Sequence, residues 1–195
     1  MYGIPVISLL SMFFWLFPAV RQYRSQLFWY FFVLAFFEPA SYLVYFITGY
    51  YQLKIIFALL LLYSVLFSFL KRRIFIYNLP FFFLILIFDR FILTLPGYYY
   101  VAASQLVIFF LFFKRTIIFV ANRGRLNIFH LFLLLESISL IAKIFLFLFD
   151  VKAGLTLYHI TTIFQMLIAV FFSVYREDNK KLLIELRNEQ NFKTE

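Results

Sequence analysis

Apolar runs recur along the chain, each close to the roughly 20 residues a helix needs to cross a bilayer, and each is closed by a short basic or aromatic cluster. They predict seven helices. The first covers Gly3–Val20, with Pro5 and Pro18 near its ends, and Arg21 and Arg24 close it. The second, Leu27–Gly49, contains Glu38-Pro39 and runs into a tyrosine-rich turn at Tyr50-Tyr51. The third, Leu53–Leu70, stops at Lys71-Arg72-Arg73. The fourth, Ile74–Leu95, holds Asn78, Pro80 and Asp89-Arg90, and Pro96-Gly97 turns the chain after it. The fifth, Tyr99–Phe113, ends at Lys114-Arg115, and Thr116–Arg125 is expected to lie along the interface. The sixth is Asn127–Asp150 and the seventh Leu155–Tyr175. The pattern therefore predicts an all-α polytopic membrane protein with a seven-span transmembrane domain over 1–175. A short cytoplasmic tail, 176–195, is rich in helix formers and is expected to prolong the last helix.

Composition strengthens the membrane reading. Hydrophobic residues make up 65% of the chain and aromatic residues 25%, with 32 Phe and 14 Tyr. Soluble domains sit near 45–50% apolar, and so much aromatic surface would leave large sticky patches in water. A net charge of +9 points to nucleic acid in a soluble protein. Here the basic residues fall between apolar spans, where they set topology, so no nucleic-acid partner is expected and the lipid bilayer is the main one. The first twenty residues lack a basic leader and a small-residue cleavage site, which predicts a retained helix.

Fourteen of the eighteen Lys and Arg lie after spans one, three and five or in the tail. The positive-inside rule puts those segments in the cytoplasm, with the N-terminus outside. The expected location is a bacterial inner membrane.

Two stretches repeat. Phe36–Ser41 in span two resembles Leu134–Ser139 in span six, and Val65–Lys71 in span three resembles Val170–Arg176 in span seven. A 3+1+3 pseudo-repeat with span four as linker is one explanation, and chance in a Phe- and Leu-rich chain is the other.

Ionisable groups deep in a bilayer cost on the order of 2.5–3.5 kcal/mol each, so those in the spans are the candidate site. Glu136, Lys143 and Asp150 recur every seven residues, on one stripe of span six, with Ser139 beside it. Glu136 has no route to water. Lys143 has one, since its stem can extend toward Asp150 and the headgroups. Glu38 lies near the middle of span two beside a helix-interior proline. Glu38 and Glu136 both lie midway along inside-to-outside helices, so their carboxyls are expected at similar depth, where they could share a proton. On span seven, His159, Thr162 and Gln165 form a polar seam at helical spacing. A seam of this kind is common glue between membrane helices. His130 and His159 belong to opposite ends of their spans and are not expected to share a metal or haem iron.

Several chemistries have no footing. The chain has no cysteine, no Gly-rich phosphate loop, no HExxH and no GxSxG. Span seven has no central lysine for retinal. No catalytic residue, metal or cofactor is expected.

The stretch from Arg176 to Gln190 resembles the juncture where seven-helix sensor regions of bacterial histidine kinases pass into their signalling stalk. No phosphoacceptor or ATP-binding domain follows it, so kinase activity is not expected. With its mid-helix Glu38, the whole chain is similar to the small, free-standing, Phe- and Tyr-rich seven-helix proteins of Bacteroidota, a group with no established activity. The expected function is that of a non-enzymatic membrane sensor or accessory subunit whose tail contacts a cytoplasmic partner. The alternative is a small three-plus-one-plus-three transporter of the SWEET and PQ-loop kind, although the Pro-Gln dipeptide that names the latter is missing. Oligomeric state is not legible.

Overall fold

The computed structural model describes residues 6–48, 53–69, 97–149 and 154–186. Six helices fill most of that length: α1 (Val6–Arg21), α2 (Phe28–Thr48), α3 (Leu53–Phe69), α4 (Gly97–Arg123), α5 (Ile128–Leu148) and α6 (Gly154–Val174). The expected fourth span and Asp150 lie outside the described residues. Each helix packs on its neighbour in this order, with α3 against α4, and α1 closes the circuit against α6.

The surface is the reverse of a soluble protein's. Leu9, Phe13, Phe110, Ile117, Ile160 and Leu167 are among many large apolar side chains left exposed, while Gln22, His130, Glu136, Lys143, Thr162 and Gln165 are buried. Water would penalise both halves of that arrangement, and a hydrocarbon solvent favours both. Three described helical segments are long and apolar enough to cross a membrane: Val101–Arg123, Ile128–Leu146 and Thr156–Val174. Leu9–Arg21, Phe28–Phe37 and Ala58–Phe69 are shorter apolar helical segments among the described residues.

Aromatic rings fill its interior. Phe31 of α2 packs edge-on against Phe172 of α6 at 4.8 Å, and Phe129 of α5 meets Phe172 at 4.9 Å. Tyr30 stands edge-on to Phe112 of α4 at 5.2 Å. All five side chains are fully buried. Some helix hydroxyls satisfy themselves locally: Ser137 donates to the Leu133 carbonyl and Thr116 to that of Phe112.

Two expectations need correction. Thr116–Arg125 is not a separate interfacial stretch, because α4 runs unbroken through Lys114-Arg115 to Arg123. Lys and Arg are good helix formers, and Arg115 finds partners along the helix side, so the charges give no reason to stop. Nor does the described part of the tail prolong the last helix. α6 ends at Val174, and Asn179 caps a short 3-10 turn by accepting from the Lys181 N–H at 3.0 Å. Leu182 buries itself in the core there, which turns the chain back. Strand β2 (Leu183–Glu185) then pairs antiparallel with β1 (Arg125–Asn127), the link between α4 and α5. Gly124, at φ +61°, makes the turn from α4 into β1, and its carbonyl accepts from the Leu186 N–H at 3.1 Å. Burying one leucine and pairing one strand outweigh the tail's helix propensity.

Candidate functional site

Among the described residues there are two polar clusters, one inside the bundle and one at its end. The first is centred on Glu136, which is 0% exposed. Heptad spacing turns its stripe of α5 inward, and the Tyr30 hydroxyl reaches over from α2 to donate to Glu136 Oε2. Glu136 Oε1 has no partner among the described residues. Two turns further along, Lys143 is 8% exposed. Its ammonium donates to Gln165 Oε1 of α6 at 3.2 Å and lies 4.3 Å from the centre of the Tyr158 ring. An ammonium over an aromatic face gains a cation–π attraction that is strongest where water is excluded. The Lys143 stem is therefore engaged between helices and does not simply extend to the surface.

Of the span-seven residues, Thr162 and Gln165 are buried and His159 is half-buried. Thr162 donates to the Tyr158 carbonyl at 2.7 Å, so it serves its own helix. Among the described residues, Gln165 is the one of the three that hydrogen-bonds to α5. The Glu38 side chain lies outside the described residues, and Tyr30 is the described α2 side chain bonded to Glu136. Along α2, the Glu38 position is eight residues from Tyr30, about 12 Å of helix.

The second cluster sits at the end of the bundle where the basic loops gather. Glu177, just past α6, accepts from the Arg115 guanidinium of α4, and its Oε1 is 3.1 Å from His130 Nε2 of α5. Its carbonyl accepts from Asn127 Nδ2 at 3.2 Å. Asn127 is also the N-cap of α5, accepting from the Phe129 N–H at 2.9 Å. Arg115 donates in addition to Gln26 Oε1 at 2.9 Å, and Gln26 donates to the Ser68 carbonyl near the end of α3 at 2.6 Å. Nearby, Gln22 donates to the carbonyls of Phe172 and Tyr175, tying the end of α1 to the end of α6. The guanidinium lies 4.6 Å from the centre of the Phe69 ring, and His130 stands edge-on to Phe119 at 5.1 Å. One carboxylate thus joins the chain leaving α6 to α4 and α5, and through Gln26 to α2 and α3.

His130 and His159 are at opposite ends of the bundle, since fifteen residues of α6, about 22 Å, separate His159 from Val174.

The residues missed by sequence reasoning are Tyr30, Arg115 and Glu177. Tyr30 is one of fourteen tyrosines, with nothing in its neighbours to mark it. Arg115 counted only as a topology charge. Glu177 follows Arg176 in a polar tail, and only the fold brings it to Arg115, 62 residues away.

Fold and interior together define a helical integral membrane protein with a polar centre and an ion-paired end. No family model matches the chain, and no curated protein or solved structure is significantly similar to it.

Proposed function

We propose that the protein is a non-enzymatic sensor or accessory subunit of a bacterial inner membrane. It crosses seven times, with its N-terminus outside and its tail in the cytoplasm. The observation that carries this reading is the Glu177 junction. The first polar residues after α6 are held by α4 and α5, so any change in how those helices pack reaches the tail directly. A sensor needs such a link between its interior and the segment its partner meets. The polar interior also supports the second reading, a small-solute transporter, in which the tail only closes one end.

Topology is tested first. Reporter fusions after Arg73, Arg125 and Glu195 should read as cytoplasmic, and fusions at Gln52 and Lys152 as external. A cytoplasmic signal at Lys152 removes the seven-span arrangement.

Deleting Lys180–Glu195 separates sensor from transporter. The protein should still insert, but lose its phenotype or its co-purifying partner. Because the deletion also removes buried Leu182, Leu182→Ala is the control: it should cost about 2–3 kcal/mol of stability, as for other leucine truncations, and retain function. Full function, or retained solute uptake, in the truncated protein favours the transporter.

A further inference from the structure

The α5 stripe of Glu136, Ser139 and Lys143 faces the α6 stripe of Tyr158, Thr162 and Gln165, because Lys143 bonds Gln165 and covers Tyr158. Three atoms of these stripes are sealed from solvent with no hydrogen-bond partner among the described residues: Glu136 Oε1, Ser139 Oγ and Gln165 Nε2. All three residues are buried, Ser139 being the most accessible at 5%. On α6, the half-buried His159 adds an Nδ1 with no hydrogen-bond partner among the described residues. Buried polar atoms are nearly always satisfied, by protein or by ordered water, so bare ones in succession call for an occupant.

The chemistry of the set identifies that occupant. It combines a carboxyl oxygen, a hydroxyl that can give or accept, and an amide N–H that can only give. A cation is disfavoured by the amide N–H and by Lys143, and an anion by Glu136. Water meets all three.

The aromatic core decides which side the water comes from. Between Glu136 and the basic end lie Phe129, Leu133, Ile168 and Phe172, all buried, with Phe31 edge-on to both Phe129 and Phe172. That layer is apolar and buried. Polar positions continue instead the other way, through Ser139, Thr162 and Lys143 toward His159. The group bonded to Glu136 is the Tyr30 hydroxyl from α2, and the nearest charge along its own helix is Lys143, two turns, about 10 Å, away.

We propose that the α5–α6 seam is hydrated and that its waters let Glu136 exchange protons with the membrane face opposite the basic loops. The inference goes beyond the sensor reading and does not depend on what the tail contacts.

The test is infrared difference spectroscopy on the full chain in oriented proteoliposomes, with protons and D2O as the probes. The Glu136 carboxyl band is identified by its loss in Glu136→Gln. It should respond to a pH step on the face opposite the basic loops, and not to one on the basic face. Ser139→Leu, which fills the seam, or Gln165→Met, which keeps volume but removes the orphaned N–H together with the Lys143 acceptor, should slow exchange by about tenfold. If Ser139→Leu fails to insert, Gln165→Met decides. A band that responds from neither side or from the basic side, or unchanged exchange in every variant that inserts, overturns the proposal.

Discussion

Replacing Glu177 by alanine should lower the unfolding free energy by about 2–4 kcal/mol, the range for removing one member of a largely buried charge pair. The side chains of Arg115 and Glu177 keep 21% and 16% of their exposure, which places the effect below that of a fully sealed pair. The loss comes mainly from what is left behind. Arg115 would retain its charge over the Phe69 ring with only the neutral Gln26 oxygen to meet it. His130 and the chain after α6 would lose a shared anchor. Glu177→Gln keeps an acceptor and should cost about 1 kcal/mol. Arg115→Met combined with Glu177→Leu should recover most of the stability, since an apolar pair of similar size often equals a buried ion pair. A contrast lies a few residues away: Arg125 and Glu185 pair across β1 and β2 at 2.6 Å, but their side chains are 50% and 65% exposed. Arg125→Ala should change stability by less than about 1 kcal/mol. Reversible unfolding in mixed micelles measures all of these. A Glu177→Ala protein as stable as wild type would show that the junction does not hold the basic end together.

Much of the architecture is legible in the sequence because the bilayer imposes one dominant rule. Apolar length and basic punctuation mark α1, α2, α3, α5 and α6 to within a few residues, since a helix in lipid must satisfy its own backbone. The rule fails where the chain leaves the hydrocarbon. At Lys114-Arg115 the charges suggest an end, yet helix propensity and a distant carboxylate keep α4 going to Arg123. In the tail, helix formers lose to Leu182 entering the core and to strand pairing with Arg125–Asn127. The site divides in the same way. Glu136, Lys143 and Gln165 are visible because polar residues at helical spacing in an apolar run must turn inward. Tyr30 is invisible because its partner is 106 residues away and tyrosine is common here.

That hydrogen bond is the second place where single substitutions should register. Tyr30→Phe removes the donor and leaves both Glu136 oxygens bare. Glu136→Leu removes the acceptor and strands the phenol. Each should cost about 1–2 kcal/mol, at the upper end of what polar contacts between membrane helices contribute, because both groups are fully buried. Glu136→Gln keeps an acceptor for Tyr30 and should stay within about 0.5 kcal/mol of wild type while losing proton exchange. The most direct measurement is the double-mutant cycle of Tyr30→Phe and Glu136→Leu, with unfolding free energies determined in bicelles for the full chain. If α2 and α5 meet through this bond at the polar centre of the bundle, the coupling energy should be about 1–2 kcal/mol, and the double variant should be little worse than either single one. Strictly additive losses, with coupling below about 0.3 kcal/mol, would contradict it.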